Sequence, residues 1–277
     1  MKISDTMYFI DTHAHIDMLK NLTPEEAVSK SQSEGVKYII NVGSSISGSR
    51  KSLEFAEKFE NVFASIGVHP HYAKDFGKNE LKILECLIQG KTEDECDRDG
   101  KRYSKVVAVG ETGFDFYRNL SPAKDMEKTF ISHIELALKY NIPVIIHDRD
   151  ANEQTLNVVK KYSSQKNFRA VVHCFSGDTS FAMQCLDLGL YISFTGIITF
   201  PNAAGLLETV KKVPIERLFI ETDSPFLAPQ AERGKENYPG YVKYVAQKIA
   251  EVKNLSIEEV AEVTSKNAED FFSINKI

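Results

Sequence analysis

The sequence predicts an α/β fold, a (β/α)8 TIM barrel, that spans residues 1–277 as a single domain. Its 277 residues suit such a barrel, which typically has about 250 residues. Eight short apolar runs recur along the chain, and polar segments with helical periodicity lie between them. Most of the runs are apolar almost throughout, which is typical of parallel strands covered on their outer face.

The predicted strands follow one another at regular intervals. In chain order they are Tyr8–Thr12, Tyr38–Val42, Phe63–Val68, Val106–Gly110, Pro143–His147, Ala170–His173, Tyr191–Phe194 and Leu218–Thr222. The first helix has a clear start signal, because Thr23 suits the N-cap, Pro24 suits the first helical position and Glu26 completes a T-x-x-E capping box. This helix should end near Gly35, a plausible glycine just beyond a helix C-terminus.

Two further segments have a recognisable character. Gly90–Ser104 is densely charged and has no apolar period, so we predict a solvated surface loop just before the fourth strand. Met126–Tyr140 is predicted to be helical, and His133 within it is predicted to be structural. No linker interrupts the alternation of strands and helices, which favours one domain.

The charge balance excludes one class of protein. Thirty-four basic and 39 acidic residues give a formal net charge of −5. A nonspecific basic coat for nucleic acid is therefore excluded, although a local basic pocket is not. Four cysteines without C-x-x-C spacing favour a reduced, cytoplasmic protein. We expect neither a secretory signal nor a membrane span, and nothing in the sequence implies a protein partner.

The first sign of chemistry is an H-x-H pair at the end of the first strand. His13 and His15 are two residues apart, so in a strand their side chains point to the same face. Two neighbouring imidazoles are well suited to bind one divalent metal ion. Taken alone, the pair is equally compatible with two histidines in a polar turn.

The pattern recurs at four other predicted strand ends. The residues concerned are Glu111 after the fourth strand, His147 and His173 at the ends of the fifth and sixth, and Asp223 just beyond the eighth. In a barrel the C-terminal ends of all strands form one ring at the catalytic face. In a doubly wound open sheet, the alternative fold, these five strands would not converge on one point. The distribution therefore favours the barrel together with a metal site at the C-terminal ends of its strands.

The number of candidate ligands suggests more than one ion. Four histidines and two carboxylates exceed the three protein ligands and one water of a simple catalytic zinc site. Six ligands with one bridging carboxylate would hold two divalent ions, Mg²⁺, Mn²⁺ or Zn²⁺, about 3.5–4 Å apart. Glu111 is the natural bridge because it lies on the middle strand of the set.

Other polar residues near the strand ends are candidates for substrate contacts. His71 follows the third strand, and Arg149, just after His147, is suited to an anionic group. Ser176 follows the sixth strand, and Arg233 lies in the loop after the eighth. For His71 and Arg233 a local hydrogen bond or a solvated charge is the alternative interpretation.

Six motifs give the sequence a family resemblance. They are Asp11-Thr-His-Ala-His-Ile-Asp17, Gly67-Val-His-Pro-His71, Gly110-Glu-Thr-Gly-Phe-Asp115, His147-Asp-Arg-Asp150, His173-Cys-Phe-Ser-Gly177 and Glu221-Thr-Asp-Ser-Pro225. In this order and spacing they resemble the TatD-like metal-dependent deoxyribonucleases, a branch of the amidohydrolase-type barrels. The resemblance covers essentially the whole chain. One departure is Glu236, an acid where family members usually have a base, which would weaken a positive rim around the site.

The resemblance implies a ligand assignment and an activity. It implies that His13, His15, Glu111 and Asp223 hold one ion and that Glu111, His147 and His173 hold the second. It also implies hydrolysis of phosphodiester bonds in DNA, with release of nucleotides from a 3′ end. In that reaction Asp223 would act as the general base and Glu111 as the bridging catalytic ligand.

Two other functions fit the same residues. The barrel could hydrolyse a small-molecule ester, amide or lactone, since metal ligands alone do not determine the substrate. It could also be a noncatalytic partner-binding module, although its intact set of ligands disfavours this function.

Overall fold

The structure is a computed structural model that describes residues 7–91 and 105–276. Eight parallel strands follow one another in chain order in a single sheet. They are β1 (Phe9–Ala14), β2 (Val36–Val42), β3 (Val62–Ile66), β4 (Val106–Asp115), β5 (Val144–Arg149), β6 (Ala170–Val172), β7 (Tyr191–Phe194) and β8 (Leu218–Ile220). Residues 92–104 of the predicted charged loop lie outside the described residues.

Helices separate consecutive strands, and two helices follow the last. They are α1 (Pro24–Ser33), α2 (Ile46–Lys58), α3 (Lys78–Gln89), α4 (Ala123–Tyr140), α5 (Asn152–Lys160), α6 (Thr179–Asp187), α7 (Ala204–Lys212), α8 (Val242–Lys253) and α9 (Ile257–Phe272). This alternation with parallel strands confirms the predicted (β/α)8 TIM barrel fold. Across residues 7–91 and 105–276, no helix combines the length and apolarity that a membrane crossing requires.

The chain divides into two compact units. The described residues of unit 1 are 7–41, 174–186 and 191–275, so this unit contains β1, nearly all of β2, β7 and β8. The described residues of unit 2 are 42–91, 105–173, 187–190 and 276, and this unit contains β3 to β6. The single-domain organisation of residues 1–277 stays a prediction.

In unit 1, the ends of β1 and β8 lie side by side. Ala14 and Ser224 form a parallel bridge just beyond the last regular pairing of β8. The His15 amide donates to the Ser224 carbonyl at 2.8 Å, and the Asp223 amide donates to the His13 carbonyl at 2.9 Å. These bonds bring the H-x-H pair and Asp223 together at the C-terminal ends of β1 and β8.

In unit 2, β4 is a buried strand of ten residues that pairs with β5 beyond its apolar part. The register places Gly113 beside His147 and Asp115 beside Arg149. The pairing therefore continues after the apolar run Val106–Val109 has ended. As a result, polar side chains of β4 lie next to the polar end of β5.

Seven of the eight predicted strands have boundaries that the structure corrects, and three of them extend beyond their predicted C-terminal ends. The first strand extends to Ala14, the fourth to Asp115 and the fifth to Arg149, so His13, Glu111 and His147 lie within strands and not at their ends. The reason is that polar residues usually mark the end of a strand, whereas here the backbone ladder continues through them. The predicted strand Tyr191–Phe194 is confirmed without change.

The predicted N-terminus of α1 is also confirmed. The Glu26 amide donates to Thr23 Oγ1 at 3.2 Å, and Glu26 Oε2 accepts from the Thr23 amide at 2.8 Å. These reciprocal bonds satisfy two amides at the start of the helix that have no acceptor within the helix itself. The helix itself ends at Ser33, close to the predicted end near Gly35.

Replacing Thr23 with alanine is expected to lower the free energy of unfolding by about 1 kcal/mol. The substitution removes the side-chain acceptor for the Glu26 amide and leaves the buried face of α1 intact. Urea denaturation of wild type and Thr23→Ala measures the difference. Superimposable curves would show that this cap does not stabilise the fold.

Candidate metal centre

Unit 1 brings together three donor atoms at the ends of β1 and β8. Nε2 of His13 and Nε2 of His15 are 3.2 Å apart. Asp223 Oδ1 lies 3.7 Å from the first and 3.5 Å from the second. A tetrahedral ion about 2.1 Å from each ligand would hold its ligands about 3.4 Å apart. The three atoms therefore have the spacing of ligands that share one divalent ion.

Asp11 is a buried carboxylate whose hydrogen bonds hold the backbone on both sides of this first cluster. Asp11 Oδ1 accepts from the amides of Thr222 and His13 at 2.9 and 3.2 Å, and Oδ2 accepts from the Thr222 hydroxyl at 2.5 Å. Burial raises the pKa of Asp11 well above its usual value, although these hydrogen bonds oppose the rise. Asp11 thus ties the backbone that carries His13 to the residue that precedes Asp223.

Unit 2 contains a second cluster of the same kind, formed by side chains from β4, β5 and the residue after β6. Glu111 Oε2 lies 3.0 Å from His173 Nε2 and 3.5 Å from His147 Nδ1. The two histidine nitrogens are 3.2 Å apart. These separations again match ligands around a single divalent ion, with one oxygen and two nitrogen donors.

The electrostatics of the second cluster favour a charged carboxylate. Burial alone would raise the pKa of Glu111, but His69 and hydrogen bonds from His147 and His173 hold the pKa well below its usual value. Glu111 is therefore ionised, the state that binds a cation.

The sequence-based prediction did not name Asp115 as a site residue, although its carboxylate contacts the candidate ligand His147. Its Oδ2 lies 3.3 Å from His147 Nε2 and 2.9 Å from His71 Nε2, and its Oδ1 accepts from the Arg118 amide at 2.7 Å. Because the Nδ1 of His147 faces Glu111, Asp115 holds the other side of the same ring. A carboxylate in this position orients a ligating histidine and raises its basicity.

A signal for Asp115 was present in the sequence. Glu111 and Asp115 are four residues apart, so along a strand both side chains point to the same face. The signal depends on β4 extending to Asp115, and the predicted strand ended at Gly110. His71 was predicted as a substrate contact, and the structure joins it to this carboxylate.

Replacing Asp115 with asparagine is expected to weaken metal binding at the second cluster by about 10–100-fold. The asparagine keeps the size of the side chain but removes the negative charge beside His147. Competition with a chromophoric chelator measures the affinity. Asp187→Asn, at an exposed position that ends α6, is the control and should retain wild-type affinity. Equal affinities for the wild type and Asp115→Asn would contradict the orienting role.

The other predicted substrate contacts lie on the surface of their units. The Arg149 guanidinium lies over the Tyr117 ring, 4.1 Å from its centroid. The Arg233 guanidinium lies 5.8 Å from the centroid of Phe200, and Ser176 is exposed. Their roles in substrate binding stay predictions.

The loop after β8 explains one departure from the family pattern. Glu236 accepts hydrogen bonds from the amides of Lys20 and Asn21, both at 2.9 Å. Within unit 1, this acid therefore fixes the loop that follows β1. The weakening of a positive rim by Glu236 stays a prediction.

Comparisons with known proteins show the family to which the chain belongs. A family model described as TatD related DNase matches residues 10–273. The metal-dependent hydrolase YabD of Bacillus subtilis is 38% identical over 266 residues, which cover 96% of this chain and 99% of YabD. The metal-dependent hydrolase YcfH of Escherichia coli K12 is 36% identical over 273 residues, which cover 97% of each chain.

A solved structure shows the same fold. The crystal structure of YjjV, a TatD homologue from Escherichia coli K12, is similar with a TM-score of 0.82 and 26% identity. The similarity covers 96% of this chain and 98% of YjjV. The match to the family model, the relatives and this structure all extend over nearly the whole chain. The chain therefore belongs to the TatD family, in which the relatives named above are metal-dependent hydrolases.

Proposed function

We propose that this chain is a divalent-metal-dependent hydrolase that cleaves phosphodiester bonds in DNA, acting as a 3′–5′ exodeoxyribonuclease. The observation that carries the proposal is the pair of donor clusters, each with the ligand spacing of a divalent ion. Membership in a family described as TatD related DNase supports DNA as the substrate.

In this proposal each cluster holds one ion, Mg²⁺, Mn²⁺ or Zn²⁺. His13, His15 and Asp223 bind the first ion, and Glu111, His147 and His173 bind the second. The bridging of both ions by Glu111 stays a prediction from the sequence. When bound, the ions supply hydroxide at neutral pH, by lowering the pKa of water toward about 7, and neutralise charge on the phosphoryl oxygens.

Asp223 is suited to take the proton of the attacking water. Its Oδ1 faces His13 and His15, which leaves Oδ2 for a proton. The Asp223 side chain is 15% exposed, whereas that of His13 is completely buried, so Asp223 is the member of this pair that substrate can reach. A carboxylate in this position acts as the general base.

Cationic and hydrogen-bonding side chains support the phosphate in the same proposal. Arg149 follows two residues after His147 on β5 and presents an exposed guanidinium. Such a group binds phosphate oxygens through paired hydrogen bonds. Ser176 and Arg233, both exposed, are assigned the same kind of contact.

The dependence of binding on salt is expected to be shallow. An exonuclease that holds one strand end contacts few phosphates, and each neutralised phosphate contributes about −0.7 to the log–log slope for a single strand. The slope should therefore be shallower than about −5. Fluorescence anisotropy of a labelled oligonucleotide with Glu111→Ala, across a salt series, measures it. A steeper slope would indicate an extended electrostatic interface in place of a strand end.

The proposed activity is tested with protein stripped by chelator and reloaded with Mg²⁺ or Mn²⁺. A 5′-labelled single-stranded DNA should shorten progressively from its 3′ end, with metal present and with wild-type protein only. Glu111→Ala is the inactive comparison. Folded, metal-loaded wild type that leaves DNA intact would refute the proposal and favour small esters, amides or lactones. Protein that binds no metal and hydrolyses none of these would instead favour a noncatalytic binding module.

A further inference from the structure

Three large hydrophobic side chains are exposed on two loops of unit 2, one after β3 and one after β4. Tyr117 is 62% exposed, Leu120 54% and Tyr72 51%. They make up half of the six large hydrophobic side chains that are exposed in the part of the chain described by the structure. Tyr117 and Leu120 lie in the turn directly after β4, and Tyr72 directly follows His71. Exposed apolar groups that cluster in this way mark a binding surface.

Hydrogen bonds connect this surface to the second donor cluster. The Ser121 hydroxyl donates to the His71 carbonyl at 2.9 Å and accepts from the Lys74 amide at 3.2 Å, which fixes the loop that carries Tyr72 to the turn after β4. The Arg118 amide donates to Asp115 Oδ1 at 2.7 Å. The turn that carries Tyr117 is therefore anchored on the carboxylate that holds His147.

The position of Tyr117 relative to the cluster follows from the strand register. The Phe116 amide donates to the Arg149 carbonyl at 2.9 Å, so the turn continues the pairing of β4 with β5. Arg149 is two residues beyond His147, and two residues of a strand span about 6.6 Å. Tyr117 thus follows directly after the residue that pairs with Arg149, at the end of β5 that carries His147.

Arg149 also determines what the Tyr117 ring can bind. Its guanidinium lies 4.1 Å from the ring centroid and covers one face. Because most of the Tyr117 side chain is exposed, the ring has surface left that a planar ligand can contact. A ring backed by a cation, next to a phosphate-cleaving centre, matches the surfaces on which unpaired bases stack.

We propose that Tyr117, backed by Arg149, is the stacking platform for an unpaired base at the DNA end. The inference rests on the proposed function and assigns one residue, Tyr117, to the contact with a base at that end. In this proposal Arg149 has two roles: its guanidinium contacts the Tyr117 ring, and its charge is available to a phosphate of the substrate. Tyr117 positions the substrate and takes no part in the chemical step.

The test compares reloaded holoenzyme of the wild type, Tyr117→Leu and Tyr117→Phe on 5′-labelled single-stranded DNA. Tyr117→Leu should raise KM about tenfold while kcat stays within about twofold, because stacking on one ring is lost. Tyr117→Phe should keep the wild-type KM, since it retains the ring.

A second series of kinetic measurements leaves the Tyr117 ring intact and removes a base from the substrate. Two oligonucleotides carry an abasic residue at the last or at the penultimate position of the 3′ end. For the wild type, kcat/KM should be about tenfold lower on one of these two substrates than on intact DNA. For Tyr117→Leu, kcat/KM on that same substrate should equal its own value on intact DNA, because the ring that would contact the base is already absent. If removal of the base lowered kcat/KM by the same factor in the wild type and in Tyr117→Leu, the ring and the base would not contact each other. That result would refute the proposed stacking platform.

The remaining outcomes separate the platform from the proposed function. Wild type that hydrolyses bis(p-nitrophenyl) phosphate but leaves DNA intact would refute the DNA substrate and the platform together. Wild type that shortens DNA, with an unchanged KM in Tyr117→Leu, would refute the platform alone. If sedimentation then showed a wild-type dimer that Tyr117→Leu dissociates, the exposed surface would be an interface between copies of the chain.

Discussion

Replacing Glu111 with glutamine is expected to lower kcat by about a thousandfold or more. The substitution keeps the shape of a buried side chain but removes the negative charge that faces His147 and His173 at 3.5 and 3.0 Å. A neutral amide binds a divalent ion more weakly than a carboxylate, so the second cluster should lose metal at the same time. Steady-state kinetics and metal analysis measure the two losses.

The control for this variant is Glu251→Gln, which removes an exposed carboxylate on α8. It should retain wild-type activity and metal content. Glu111→Gln with full activity would show that Glu111 takes no part in the reaction. Glu111→Gln that keeps its metal but loses activity would assign Glu111 to the chemical step and not to binding of the ion.

Replacing Asp223 with asparagine is expected to lower kcat by about 10²–10⁴-fold. The asparagine can still present an oxygen toward His13 and His15, but it cannot accept the proton of the attacking water. The backbone should be retained, because the Asp223 amide donates to the His13 carbonyl whatever the side chain. Metal content should fall less than activity does.

A pH–rate profile distinguishes a general base from a simple ligand. If Asp223 is the base, the acid limb of the wild-type profile should be absent from the residual activity of Asp223→Asn. If Asp223 only binds the ion, excess metal should restore kcat and the profile should keep its acid limb. Restoration of kcat by excess metal would therefore show that Asp223 takes no part in the chemical step.

The candidate metal ligands could be named from the sequence because the predicted strand ends and the metal-binding residue types coincide there. Apolar runs predicted the strands, and polar residues such as His173 stood out at their ends. Parallel strands of a barrel collect such residues at one face, so the candidates could be named before any distance was known. The structure groups them into two sets with ligand spacing, one in each unit.

The supporting residues were harder to predict for two physical reasons. A strand that continues through polar residues has no apolar signal at its end, so Asp115 fell outside the predicted β4. Long-range partners also have no local pattern: Asp11 and Thr222 are bonded across 211 residues of sequence, and Glu236 reaches the loop after β1. Only the fold brings these groups together.

The central claim, that each of the two clusters binds a divalent ion required for hydrolysis, is tested most directly by metal stoichiometry. Wild type, His15→Ala and His173→Ala are each loaded with Zn²⁺ or Mn²⁺, freed of excess metal and analysed by mass spectrometry for ions bound per chain. The account predicts two ions for the wild type, one for each variant, and hydrolysis by the wild type alone. Wild-type protein that stays fully active after chelation, with no stoichiometric metal, would contradict it.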